Sequence, residues 1–213
     1  MGKNVVKKIM VMPLLAVALL LSACRYDIPE GYSKNAHPYE ELVEFAKSID
    51  PDATVTDEPQ HELYEHRNYV IYPAKIGGIE CSVATISVPV YDSSGEFAVM
   101  YYRMDTDYDF NLLCQILEKY PLLGAPLDDD LVARFNVGGF MRSCVTVDNM
   151  TEEKLNGIFD EFDKCQKELK SYSLRKNFRM QIRVGKKSYF FTETTDEAKQ
   201  KVIDNMTKDG VLK

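Results

Sequence analysis

The first apolar segment of the chain has no period. Residues 9–21 are thirteen apolar positions in a row, Pro13 among them, preceded by Lys3, Lys7 and Lys8 and followed by Ser22-Ala23-Cys24. Residues 25–37, which hold Pro29 and Gly31, show little apolar periodicity and read as a linker. A period then takes over. Leu42, Phe45, Ala46 and Ile49 recur at helical spacing, with Glu40, Glu41 and Glu44 early in the run. Residues 38–49 therefore predict an amphipathic helix, its acids favoured by the dipole and its end set by Asp50-Pro51.

Strand patterns follow. Residues 68–76 and 79–91 flank Gly77-Gly78, a two-residue turn that tolerates positive φ, and Asp92-Ser93-Ser94-Gly95 leads into 96–104. Val83, Ile86, Val88 and Val90, with Phe97, Val99, Met100, Tyr101 and Tyr102, place apolar groups on both strand faces, which predicts strands covered in part on each side. Asp107 or Thr106 can cap the next helix, whose face is Phe110, Leu113, Cys114, Leu117 and Tyr120 before Pro121 stops it. A loop through Leu127-Asp128-Asp129-Asp130 leads to a second predicted hairpin, 132–137 and 140–147, around Gly138-Gly139. Asn149-x-x-Glu152 reads as a capping box for a long helix carrying Leu155, Ile158, Phe159, Phe162, Cys165, Leu169 and Tyr172 on one face. A third hairpin, 177–184 and 187–192, turns at Gly185-Lys186, and Thr194-x-x-Glu197 opens a last helix through Met206.

Hairpins, not crossovers, connect most of these strands. The predicted fold class is α+β, a mainly antiparallel twisted sheet built from hairpins with about four helices packed largely on one side. Residues 38–213 form one α+β domain in this reading, with 121–130 as the place where it could divide into subdomains.

Charge changes the picture in one respect. Beyond residue 23 the chain carries 23 basic and 33 acidic residues, a net charge of −10. Residues 24–163 hold 10 basic and 27 acidic residues, net −17, whereas residues 164–213 hold 13 and 6, net +7. Such asymmetry marks either a face for an anionic partner or a basic part neutralised by an acidic neighbour.

The leading segment has its own chemistry. A basic start, a thirteen-residue apolar core and small residues before a cysteine have the three parts of an export signal, and the core is shorter than the about 20 residues that cross a bilayer. Leu21-Ser22-Ala23-Cys24 resembles the lipobox of bacterial lipoprotein precursors. The resemblance covers residues 1–24 only. It implies that residues 1–23 are a cleaved signal peptide and that the Cys24 thiol carries a diacylglyceryl group. It further implies a mature chain that is lipid-anchored at the extracytoplasmic face of the cell membrane, with Cys24 and residues 25–37 as a flexible tether. Arg25, in place of Asp after the cysteine, fits outer-membrane sorting where a cell has two membranes. Thirteen tether residues span at most about 45 Å.

Four cysteines remain, Cys81, Cys114, Cys144 and Cys165, without C-x-x-C spacing. Three pairings are open in an oxidising compartment, but helical placement on apolar faces suits Cys114 and Cys165 as thiols that behave as small hydrophobes. Asp105-Thr-Asp107-Tyr-Asp109 begins like a calcium loop, yet Phe110 and Ile116 stand where glycine and the bidentate glutamate belong. A helix-capping acidic turn is the better reading. His61 and His66 are five apart, not the four that a zinc helix needs, so a polar loop is expected there. Ser173-Leu-Arg-Lys176 has no companion motif, and no G-x-S-x-G occurs. The sequence predicts neither a metal nor a cofactor.

The third hairpin is the candidate site. Phe178, Met180, Ile182 and Val184 alternate with Asn177, Arg179, Gln181 and Arg183, which sends the arginines to one outer face. Arg175, Lys176, Arg179, Arg183, Lys186 and Lys187 are the residues expected to meet an anionic partner: an envelope polymer, lipid headgroups or an acidic protein. Nucleic acid is not expected for an exported, net-acidic chain. The functional expectation is a non-enzymatic binding or interaction module held near the cell envelope by the lipid on Cys24. Two alternatives stay open: an envelope hydrolase built on scattered carboxylates, or an accessory subunit of an envelope complex or transporter.

Overall fold

The computed structural model of the chain describes residues 28–127, 131–135, 140–172, 174 and 177–213. The signal segment and Cys24 lie outside the described residues. No described helix is long and apolar enough to cross a membrane. The fold is α+β with mainly antiparallel strands, as the hairpin pattern predicts, but the strands form two sheets.

Helix α1 (Tyr39–Ile49) buries Leu42 and Ala46 completely and ends at Asp50 in extended backbone. The Asp50 carboxylate then accepts a 2.6 Å hydrogen bond from the Gly77 amide, tying the helix end to a hairpin turn. The first sheet contains β1 (Thr54–Val55), β2 (Gln60–Tyr64), β3 (Arg67–Ile76), β4 (Ile79–Tyr91) and β5 (Phe97–Thr106). Its order is β1-β3-β4-β5, with β2 sharing the β3 edge with β1. The His61–His66 segment, expected as a polar loop, is instead β2 and a tight turn at Glu65 and His66, both at positive φ. All five β2 residues are exposed. Backbone pairing to β3 carries this strand, so it shows no apolar alternation.

The two faces of this sheet serve different clusters. Ala74, Ile76, Cys81 and Val83 join the main core with α1 and with α2 (Tyr108–Leu117), whereas Tyr69, Ile71, Ala84 and Ile86 form a smaller cluster closed by Phe135. Phe135 follows the short helix α3 (Leu131–Arg134). That placement overturns the second predicted hairpin. Residues 132–137 were expected to pair with 140–147, but β7 (Phe140–Val147) has both edges occupied, by β6 (Ala125–Pro126) and β8 (Asn177–Val184). Residues 131–135 pack on the first sheet through Phe135 instead, and the predicted turn at Gly138-Gly139 lies outside the described residues.

The second sheet runs β6-β7-β8-β9, ending on β9 (Lys187–Phe191). β7 and β8 pair in parallel and are joined by α4 (Glu152–Leu169), a crossover where hairpins connect most of the other strands. Leu155, Ile158, Phe159, Phe162, Cys165 and Leu169 of α4 are all buried, as the period predicts. The caps differ by a residue or two from expectation. Thr151, not Asn149, caps α4 by accepting from the Lys154 amide, and Thr195 caps α5 (Asp196–Lys208) by accepting from that of Ala198. At α2 the Thr106 hydroxyl accepts from the Tyr108 amide, and Asp107 is used elsewhere.

One apolar cluster draws on α1, α2, α4 and α5 and on both sheets, with Phe162 stacked on Phe178 at 5.0 Å and edge-on to Phe191 at 4.8 Å. Where β6 meets β7, Gly124 has φ +72°, and a Cβ there would lie 2.1 Å from the Cys144 carbonyl oxygen. Only glycine fits. The linker of residues 25–37 is docked before its end: Ser33 and Tyr102 exchange backbone hydrogen bonds of 2.7 and 2.8 Å, and the His37 amide donates to Thr85.

Candidate functional site

The β8–β9 hairpin turns on two residues, Gly185 at φ +58° and Lys186. Glycine at the first turn position suits the twist of the strands and fixes the register. Alternation then decides what faces out. Phe178, Met180, Ile182 and Val184 are buried against α4, while Arg179 is half-buried and Arg183 exposed on the opposite face. Parallel pairing sets Arg142 of β7 beside Arg179 and Thr146 beside Arg183. The Arg179 guanidinium lies 3.9 Å from the ring centroid of Phe140, which is itself 41% exposed. Stacking of this kind contributes about 0.5–1 kcal/mol at open sites and holds the guanidinium plane in a set orientation.

Of the six residues expected to meet an anion, the hairpin places four. Arg179 and Arg183 share the outer face and Lys186 stands at the exposed turn. Lys187 is drawn away from them: it pairs with Asp209 at 3.0 Å. The Asp209 carboxyl is held below its ordinary range, first by the Tyr189 hydroxyl, which donates at 2.8 Å, and then by Lys187. Tyr189 is pushed up to about 12, by burial first and by Asp209 second. Arg175 and Lys176 lie outside the described residues. Among the described residues neither Arg183 nor Lys186 makes an ion pair.

Three members of the face escaped sequence reading. Phe140 and Arg142 belonged to a hairpin expected to pair elsewhere, and the parallel register that brings them beside β8 leaves no local signal. Phe190, 49% exposed, stands opposite Gln181 on β9. Gln181 sits between the two arginines yet is 5% exposed, donating to the Ser188 hydroxyl at 3.1 Å.

The acidic turn at residues 105–109 is buried rather than solvated, with Asp105, Asp107 and Asp109 at 0–1% exposure. Asp107 accepts from the Ser82 amide at 2.6 Å and from Arg134, and Asp105 accepts from the Thr106 amide at 2.8 Å. Arg103 lies 3.6 Å from Asp105 and donates to the Phe135 carbonyl at 2.8 Å. These carboxylates fasten α3 across the first sheet. Among the described residues no group of three or more His, Cys, Asp or Glu side chains is placed to hold a metal ion.

The four cysteines beyond the tether form no disulfide. Burial pushes the Cys81 and Cys165 thiols up to about 12, helped at Cys81 by the Asp107 charge and at Cys165 by Glu168. Such thiols are inert packing groups. Comparison with protein-family models, with curated proteins and with solved structures finds no match to this chain.

Proposed function

We propose that this chain is a binding module held at the extracytoplasmic face of the cell membrane by lipid on Cys24, and that the outer face of its second sheet meets an anionic partner of the cell envelope. The observation that carries the reading is the ordered cationic face: Arg179 stacked on exposed Phe140, with Arg142 beside it in register and Arg183 open to solvent. A net charge of +7 over residues 164–213 in an otherwise acidic chain concentrates attraction there. Each basic residue near an anionic membrane surface contributes about 1 kcal/mol, and the tether holds the face at high local concentration.

The test is co-sedimentation of the full chain with anionic vesicles and, separately, with anionic wall polymer. Arg179→Glu with Arg183→Glu should lower retention at least tenfold on one of the two and leave the fold unchanged by circular dichroism. Equal retention of wild type and variant on both supports overturns the reading.

A further inference from the structure

Among the described residues, no strand pairs with the outer edge of β9, which ends the second sheet. β9 pairs only with β8 in the sheet order. Hydrogen bonding in an antiparallel pair alternates, and a two-residue turn makes its flanking pair, Val184 and Lys187, a bonded one. Ile182–Tyr189 and Met180–Phe191 are then bonded too, so the amide and carbonyl of Ser188 and of Phe190 point away from β8. Among the described residues neither makes a backbone hydrogen bond outside the hairpin.

Beside this edge runs a groove of about 660 Å³, floored by β9 and walled by α5. That is within the ~300–1,000 Å³ of ligand clefts. The α5 wall presents Ala198, Lys201, Val202 and Asn205, a one-sided stripe at spacings of three and four. The groove is also charged along its length. Exposed Glu193 and Glu197 stand where β9 runs out and α5 begins; at the other end exposed Lys208 stands beside Asp209, which Lys187 pairs at 3.0 Å and Tyr189 meets with its hydroxyl, so the two lysines outweigh the one carboxylate there.

We infer that this groove takes an extended peptide segment, added to β9 as a further antiparallel strand between the sheet edge and α5. Unused backbone groups of Ser188 and Phe190 supply the pairing, the mode by which open sheet edges recruit chains. The polarity selects both direction and chemistry. A strand antiparallel to β9 starts beside Phe191, so a basic residue at its N-terminal end meets Glu193 and Glu197, and an acidic residue at its C-terminal end meets Lys208. The proposal does not depend on the reading given the outward arginines above.

The probe is acetyl-Lys-Val-Thr-Val-Thr-Glu-amide, titrated into the full-length ¹⁵N-labelled chain in detergent micelles. The Ser188 and Phe190 amides should shift and gain protection from exchange. The charge-reversed peptide acetyl-Glu-Val-Thr-Val-Thr-Lys-amide should bind at least fivefold more weakly. Ser188→Pro removes an outward amide at a position where an edge strand tolerates proline, and should weaken binding at least tenfold, with Ser188→Ala near wild type. If the proline variant does not fold, Lys208→Glu on the exposed side of α5 replaces it, and should lose the preference for the Lys-to-Glu peptide. No shift at Ser188 and Phe190, or equal binding of both peptides, overturns the proposal.

Discussion

Gly124 and Gly185 both hold positive φ, yet their substitution should cost different amounts. A methyl at Gly185 meets nothing within 4 Å, whereas at Gly124 it would strike the Cys144 carbonyl at 2.1 Å. Gly185→Ala therefore carries only the left-handed backbone penalty of about 1–2 kcal/mol. Gly124→Ala must also push β6 off β7, and should cost about 3 kcal/mol or more. Urea midpoints of the two variants check this; equal losses would mean that β6 yields without strain. At this scale the sequence was legible where chemistry is local. Gly185-Lys186 announced its turn, and the arginine alternation on β8 is as read. The role of Asp107 was not legible, because its partners Ser82 and Arg134 are 25 and 27 residues away. An acidic turn beside a helix reads as a cap, and nothing nearby tells it from a buried carboxylate holding a distant arginine.

Among the elements, periodicity predicted helices more closely than it predicted strand partners. The buried positions of α4 are those its period picks out, since an amphipathic helix records its own burial. A strand records which residues face inward but not which neighbour it pairs with. Residues 140–147 were correctly a strand and were given the wrong partner, and β2 was missed because an edge strand wetted on both faces needs no apolar side chains. Caps give a quantitative check. Thr151→Ala removes the side-chain acceptor for the Lys154 amide and should destabilise by about 1 kcal/mol. Asn149, the cap read from sequence, instead accepts from Lys213 at an exposed site. Asn149→Ala should cost only a few tenths of a kcal/mol. Thermal melts of the pair decide it: a larger loss at Asn149 would restore the capping box.

On the scale of the whole molecule, the α2 end and α4 are braced by Glu168, which accepts from Lys119 and, at 2.9 Å, from the Tyr120 hydroxyl. Lys119 first and Tyr120 second hold the Glu168 carboxyl below the ordinary glutamate range. A lowered folded value means the carboxylate stabilises the fold above the unfolded value of about 4.3 and loses that contribution as pH falls through the folded one. Wild type should therefore lose stability below about pH 4.3 more steeply than Glu168→Gln, read as urea midpoints between pH 6 and 3. Parallel curves would show that the brace carries no linkage. Fold class was legible at this scale because hairpin turns dominate the chain. Division into two sheets was not, since the second sheet depends on the parallel pairing of β7 with β8. Phe140 and Asn177, in register across that pair, are 37 positions apart in the chain, whereas the turns at Gly77-Gly78 and Gly185-Lys186 join their strands across two. Loop closure over such a span comes late in folding, because the entropy is lost before any pairing returns it. Hairpins with two-residue turns such as β3–β4 and β8–β9 close on a scale of about microseconds, whereas pairing β7 with β8 means closing a loop that contains all of α4. Phe140 meets Arg179 only at that step. The β8–β9 hairpin carries Arg179 and Arg183 by itself, but Phe140 and Arg142 join them only through the pairing of β7 with β8, so the complete cationic face is tied to the closure of that 37-residue span.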